Sequence, residues 1–80
     1  MEQRKRKKRQ WSKDEIKALR QHLNLTQVKL AEELGTRQQT ISEWEKGMYS
    51  PRGASVTLLS IIAERSGFIY RSKEKHDEPD

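Results

Sequence analysis

Stop signals divide the middle of this chain into four short segments, which end at Asn24, Gly35, Gly47 and Gly67. Glycine and asparagine readily adopt the left-handed backbone conformation that ends many helices. Between these stops, apolar residues recur three and four positions apart, which puts them on one face of a helix. Each segment has room for only a few helical turns. The pattern predicts an all-α fold of four to five short helices, without strands or internal repeats.

The helix starts carry signals of their own. Ser12 followed by Glu15 forms a capping box, in which side-chain oxygens satisfy free amide donors at the first turn. Thr26 is predicted to cap the second helix, and the third helix is predicted to run from about residue 37 to 46. Pro51 suits the first turn of the fourth helix, where its missing N–H would be unpaired in any case.

The apolar faces of these segments predict the core. They contain Ile16, Leu19, Leu23, Leu30, Ala31, Leu34, Ile41, Trp44, Leu58, Leu59, Ile62 and Ala63. Phe68 and Ile69 are expected to fold back onto this core, and Trp11 is expected to anchor the preceding segment to it. Residues 11–70 are therefore predicted to form a single small domain.

The excess positive charge lies entirely at the N-terminus. The whole chain carries a net charge of +5, and residues 1–10 account for all of it, because the other charges cancel. The basic residues of this arm are Arg4, Lys5, Arg6, Lys7, Lys8 and Arg9. A run of like charges repels itself and stays disordered until it meets an anion. We predict a disordered arm over residues 1–10 that binds a polyanion, with a solubilising tail or an import signal as the alternatives, and a disordered charged tail over residues 71–80.

Composition argues against several functional classes. The chain lacks cysteine, which fits a reducing compartment, and no apolar run approaches the ~20 residues of a membrane span. The only histidines are His22 and His76, so neither a metal-ligand cluster nor a nucleophile–base pair can be assembled. We expect no catalytic activity, no metal, no cofactor and no membrane association.

The second and third segments carry the most specific signal. Only a few residues around Gly35 join them, and so short a link forces the steep crossing of a helix-turn-helix. The motif consists of Leu25-Thr26-Gln27, Leu30-Ala31, Leu34-Gly35, Thr40-Ile41-Ser42, Trp44-Glu45 and Gly47. Over about residues 14–67 it resembles the lambda-repressor-like family, also called the Cro/cI or XRE family. Each residue alone is a weak signal, whereas their joint spacing is specific.

This resemblance implies a small all-α domain of about five helices, whose third helix docks in the major groove of DNA. It also implies a half-buried pair between Arg20 and Glu45. Two features differ from the family pattern. The segment Phe68–Tyr70 stands in place of the usual fifth helix, and Arg37 replaces the usual small hydroxyl cap, so Thr36 is expected to cap the third helix instead. The run of residues 51–55 resembles the short regulators and antitoxins of the family.

The outward face of the third helix supplies the candidate base readers. Ile41 and Trp44 define its buried side, and at 100° per residue Gln39 then points almost directly outward. The predicted base-reading residues are Arg37, Gln38, Gln39 and Glu43. Glutamine matches adenine with a bidentate pair, and the family's matching positions read bases. The alternatives are that Gln39 completes a capping box with Thr36, that Arg37 grips phosphate and that Glu43 is a solvated surface residue.

Phosphate contacts are expected from both ends of the motif. Gln27 opens the second helix, whose free N–H groups attract a phosphate. In the resembling proteins the matching glutamine binds phosphate and braces the recognition helix. The remaining candidates are Thr40, Lys46, Tyr49 and Arg52, and for Lys46 and Arg52 the alternative is ordinary solvated surface.

These observations together predict a sequence-specific regulator that binds double-stranded DNA, a repressor that acts as a homodimer. Bacterial or phage origin and a cytoplasmic, nucleoid-associated location are expected with it. Within DNA binding, the alternative is the antitoxin of a toxin–antitoxin pair, with a toxin as protein partner. From a different class, the alternative is a cofactor that bridges transcription factors without reading bases.

Overall fold

The computed structural model describes residues 10–70, which form four helices. These are α1 (Lys13–His22), α2 (Gln27–Leu34), α3 (Gln38–Glu45) and α4 (Ala54–Ser66). No strand occurs within the described range, and the predicted all-α fold is confirmed. Residues 1–9 and 71–80 lie outside that range, so the arm and the tail remain predictions. None of the helices between residues 10 and 70 is long and apolar enough to cross a membrane.

The predicted caps of the first two helices are confirmed. Ser12 Oγ accepts a hydrogen bond from the Glu15 N–H at 3.1 Å, and Thr26 Oγ1 accepts one from the Lys29 N–H at 3.1 Å. Each bond satisfies an amide that has no partner within its own helix. Asn24 follows α1 with a φ of 60°, the left-handed conformation expected of it.

The start of α3 differs from its prediction. Arg37 is the N-cap, without a side-chain capping bond, so Thr36 does not cap the helix and forms no capping box with Gln39. The reason lies in the preceding helix. Gly35 ends α2 with a φ of 73°, and the Thr36 N–H then donates to the Ala31 carbonyl at 2.8 Å. Thr36 therefore completes the end of α2, and α3 begins one residue later than a Thr36 cap would allow.

The start of α4 also corrects a prediction. Pro51 lies in the preceding loop, and α4 begins at Ala54 after Gly53, its N-cap. Gly53 has φ 60° and ψ −130°, a conformation that suits glycine because it has no Cβ. This reversal of the chain separates Pro51 from the helix. Pro51 is buried instead, beside Trp11 and Val56.

The core lies where α3 packs against α1 and α2, and α4 covers α2. Its buried apolar residues are Trp11, Ile16, Leu19, Leu30, Ala31, Leu34, Ile41, Trp44, Leu59 and Ala63. Two predicted members are exposed, and two others, Leu23 and Ile62, are only partly buried. Leu58 is 37% exposed, since it lies about 100° around α4 from the fully buried Leu59, and Ile69 is 74% exposed. Phe68 does fold back, and it packs against the core as predicted.

Trp11 holds the beginning of the domain in place. Its indole is 2% exposed, and the ring lies 6.4 Å from that of Phe68. The indole Nε1 donates to Ser60 Oγ in α4 at 3.4 Å. Trp11 is therefore held in the core, whereas the arm that it is expected to anchor lies outside the described residues.

Candidate nucleic-acid interface

The packing of α3 on α1 and α2 decides which of its sides faces outward. Ile41 and Trp44 are buried against α1 and α2 and fix the inward side of the helix. Gln38 and Gln39, at its first turn, are both exposed. The helix therefore presents two adjacent amide side chains to solvent at the end nearest the turn, and for Gln39 this is the outward direction that the helical spacing predicts. Arg37 is exposed just before them.

An ion pair stands behind this turn. The Arg20 Nε donates to Glu45 Oε2 at 2.7 Å, and Nη2 donates to Oε1 at 3.0 Å. Arg20 Nη1 also donates to the Leu25 carbonyl at 3.1 Å, which ties the pair to the loop before α2. The side chains of Arg20 and Glu45 are only 17% and 6% exposed. The resemblance implied this pair, and the structure contains it in bidentate form.

The surroundings of the pair keep both partners charged. Burial raises the pKa of the Glu45 carboxyl, but hydrogen bonds from Arg20 and Gln27 outweigh burial, and the net effect is a lowered pKa. The hydrogen bond to Glu45 raises the pKa of Arg20 despite the opposing effect of burial. Glu45 is therefore an ionised hydrogen-bond acceptor at neutral pH.

Gln27 connects this pair to the exposed turn of α3. Its Nε2 donates to Glu45 Oε1 at 3.1 Å, and its Oε1 accepts from Gln38 Nε2 at 3.1 Å. A chain of hydrogen bonds thus runs from Arg20 through Glu45 and Gln27 to Gln38. The bond between Gln27 and Gln38 is the bracing contact that the resemblance implied.

Gln39 has a separate partner on its own helix. Its Nε2 donates to Glu43 Oε2 at 3.0 Å, one helical turn further on. Glu43 was itself predicted to read a base, and the structure brings its carboxylate against the neighbouring glutamine. Both outward glutamines are therefore held through an amide N–H.

A shallow cleft of about 470 Å³ borders the same side of α3. Thr40, Tyr49 and Arg52 line it together, which unites three of the predicted phosphate contacts at one edge. Tyr49 is 63% exposed and projects from the loop after α3. Lys46, the C-cap of α3, is also exposed, but it does not line this cleft.

A family model described as helix-turn-helix, of the Cro/cI-like or XRE type, matches residues 16–65. The chain belongs to this family. Its members are DNA-binding transcriptional regulators rather than enzymes, and this chain is accordingly a DNA-binding regulator of the XRE type. Its partner is double-stranded DNA. No curated protein matches the chain.

In this XRE-type regulator Gln10, the first described residue, lies beside the candidate interface. A second cleft, of about 440 Å³, is lined by Gln10 and Trp11 on one side and by Ser50, Pro51 and Arg52 on the other. Arg52 also borders the cleft beside α3. The arm residues predicted to contact DNA lie outside the described range, but the point where the arm joins the domain adjoins the interface edge.

Two features of the interface were missed in the sequence. Ser50 lines both clefts, yet it lies in a loop without periodicity that could have singled it out. The contact of Gln27 with Glu45 joins α2 to the end of α3, and residues 18 positions apart give no local signal of such a contact. Among the described residues there is no cluster of side chains able to hold a metal ion.

Proposed function

We propose that this chain is a sequence-specific transcriptional repressor that reads the major groove of double-stranded DNA with α3. One observation carries the proposal. Gln38 and Gln39 are adjacent and exposed at the N-terminal turn of that helix, and each is oriented by a side-chain hydrogen bond. In helix-turn-helix proteins the N-terminal residues of the second helix contact base edges. A glutamine amide can pair with both N6 and N7 of adenine.

Arg37 and Glu43 complete the proposed reading face. Arg37 precedes the two glutamines and its side chain makes no capping bond, so the guanidinium is available to a guanine or a phosphate. Glu43 lies one turn beyond Gln39 and accepts its hydrogen bond. In the complex this carboxylate would border the amide that meets the base.

Phosphate contacts are proposed at the rim of this face. Gln27 stands at the first position of α2, where helix N–H groups favour an anion. Thr40, Tyr49 and Arg52 share the cleft beside α3, and Lys46 follows the helix at its C-terminal end. Such contacts position a protein on DNA without reading its sequence.

The basic arm is proposed to add contacts to phosphates further along the duplex. Its point of attachment adjoins Arg52, so the arm starts at the edge of the proposed interface. Its six Lys and Arg residues stand against the single acid Glu2. Charge of this density binds the phosphate backbone of any sequence and releases counterions.

The proposed repressor acts as a homodimer through α4. Leu58 and Ile61 are 37% and 41% exposed on the side of α4 that faces away from the core. Covering two such side chains with their copies in a second chain removes apolar surface from water. A two-fold dimer would place its two α3 helices in successive major grooves, about 34 Å apart. Where such a site overlaps a promoter, its occupancy excludes other proteins from that DNA, so repression needs no further activity.

Selection of bound sequences from a random duplex pool tests this function. The expected result is a two-fold symmetric site whose half-sites are about one helical turn apart. Binding without enrichment of any sequence would contradict base reading. It would favour a cofactor that bridges other transcription factors.

A further inference from the structure

The hydrogen bonds behind the two glutamines have a fixed direction, and we infer that the carboxylates of Glu45 and Glu43 make α3 select adenine over guanine. The inference rests on the proposed base reading by Gln38 and Gln39 and deepens it. It assigns specificity to Glu45, a largely buried side chain that need not touch DNA at all. Glu45 and its partner Arg20 are positioning residues in this account.

Chemistry alone fixes the direction of the first chain of bonds. Arginine can only donate and an ionised carboxylate can only accept, so the atom of Gln27 that faces Glu45 must be its Nε2. The atom of Gln27 that faces Gln38 is then Oε1, which can only accept. The atom of Gln38 that faces Gln27 must therefore be its donor, Nε2. A reversed amide at either glutamine would bring two donors or two acceptors together.

The second bond has the same direction for an independent reason. Glu43 offers only acceptor oxygens to Gln39, so the Gln39 amide must present Nε2 to it, at 3.0 Å. Both outward glutamines are therefore oriented by a carboxylate. Gln39 is held directly by one, and Gln38 is held through Gln27.

This orientation leaves each glutamine with one N–H donor and one carbonyl acceptor for a base. Adenine presents one acceptor, N7, and one donor, the N6 amino group, in the major groove. Guanine presents two acceptors, N7 and O6. A free glutamine can turn both N–H donors toward guanine, whereas one that has given an N–H to a carboxylate network cannot. The network thus favours adenine and disfavours guanine at two base pairs.

The ion pair between Arg20 and Glu45 stabilises this orientation of the Gln38 amide. The Glu45 side chain is almost fully buried and receives two hydrogen bonds from Arg20, so it has little freedom to turn away from Gln27. Replacing its carboxylate by an amide keeps the shape but removes the acceptor-only character. Gln27 would then be free to reverse, and Gln38 with it.

The test compares two substitutions of the same kind on one selected duplex and on copies with guanine in place of each contacted adenine. The base pair read by each glutamine is first assigned by Gln38→Ala and Gln39→Ala. Glu45→Gln is expected to reduce the adenine-over-guanine preference at the Gln38 base pair from about tenfold or more toward parity, and to leave the Gln39 base pair unchanged. Glu43→Gln is expected to reduce the preference at the Gln39 base pair and to leave the Gln38 base pair unchanged.

Two further variants separate this effect from other consequences of mutation. Glu32→Gln removes a carboxylate from the exposed pair with Lys29, so it reproduces the change in net charge away from the network and is expected to keep both preferences. Gln27→Met interrupts the chain while leaving the ion pair intact, and is expected to match Glu45→Gln in its effect on preference. It also serves as the test variant if Glu45→Gln proves too unstable to assay, as judged from its thermal melting curve.

The outcomes distinguish the inference from the function on which it rests. If Gln38→Ala and Gln39→Ala leave every base preference intact, base reading by these two glutamines is wrong. If they abolish preferences that Glu45→Gln, Gln27→Met and Glu43→Gln all retain, base reading stands and control by the carboxylates is wrong.

Discussion

Arg20 and Glu45 are the residues on which the fold and the proposed interface both depend. The pair joins α1 to the end of α3, and Glu45 also receives a hydrogen bond from Gln27 at the start of α2. Three helices therefore meet at one carboxylate. Loss of either partner leaves the other charge largely buried without its counterpart, which is a strongly unfavourable state.

Arg20→Ala is expected to lower the free energy of unfolding by about 2 kcal/mol, the order of magnitude for losing charged hydrogen bonds. Urea denaturation at neutral pH measures this change. As control, Lys29→Ala removes a cation from an exposed pair and should cost less than about 1 kcal/mol. Equal losses in the two variants would contradict the role given to Arg20.

The same pair predicts a pH dependence. The folded-state pKa of Glu45 is lowered, so its stabilising contribution is fully present above the ordinary value of 4.5 and is lost as the pH falls through the folded-state pKa. Wild-type stability should therefore fall on acidification below about pH 4.5, and Arg20→Ala should show a shallower fall. Parallel profiles for the two proteins would contradict the assignment.

At the scale of elements, local signals predicted the helices well and their exact starts less well. Ser12 and Thr26 were identified as caps because capping depends on residues three positions away. Thr36 and Pro51 were misassigned because their roles depend on the backbone around them. The Thr36 N–H donates to a carbonyl of α2 and so helps to end that helix. The positive φ of Gly53 turns the chain between Pro51 and α4.

Gly53→Ala tests the importance of that turn. The substitution is expected to lower the free energy of unfolding by about 1–3 kcal/mol through backbone strain alone, since no atom lies within 4 Å of an added Cβ. Gly35→Asn is the control. Asparagine tolerates the left-handed conformation of Gly35, where an added Cβ also meets open space. The melting temperature of Gly53→Ala should lie well below that of this control. The opposite order would contradict the importance given to the turn at Gly53.

The exposed side of α4 gives a second prediction at this scale. Leu58→Glu is expected to convert the proposed homodimer to a monomer with little change in thermal stability, because the side chain lies outside the core. Its neighbour provides the contrast, since Leu59→Ala should cost about 2–5 kcal/mol through a core cavity. Sedimentation equilibrium measures the state of association. A Leu58→Glu protein that stays dimeric would show that α4 is not the dimer surface.

At the scale of the whole molecule, the charge distribution separates attraction to DNA from recognition of its sequence. All the net positive charge resides in residues 1–10, whereas the domain that follows carries the proposed base readers. Removing residues 1–9 should weaken binding to every duplex and flatten the salt dependence by up to about five units, at about 0.9 per phosphate. Titrations at several salt concentrations measure the slope. An unchanged slope would exclude the arm from the complex.

The sequence alone could predict the outward direction of α3 but not the network behind it. Helical spacing from Ile41 and Trp44 was enough to direct Gln39 outward. The chain of bonds through Arg20, Glu45 and Gln27 depends on how three helices pack, and neither spacing nor composition encodes those distances. The resemblance to a family supplied two of these contacts, and the structure was needed to connect them.

A ratio of two affinities tests whether α3 reads bases through Gln38 and Gln39. The double variant Gln38→Ala/Gln39→Ala is compared with wild type on the selected duplex and on a scrambled duplex at one salt concentration, with Lys46→Ala as the control for phosphate contacts. The double variant is expected to lose about 1–3 kcal/mol or more of binding free energy on the selected duplex and almost none on the scrambled one. Lys46→Ala should weaken both equally. If the double variant also binds both duplexes more weakly by the same factor, the glutamines do not read the sequence.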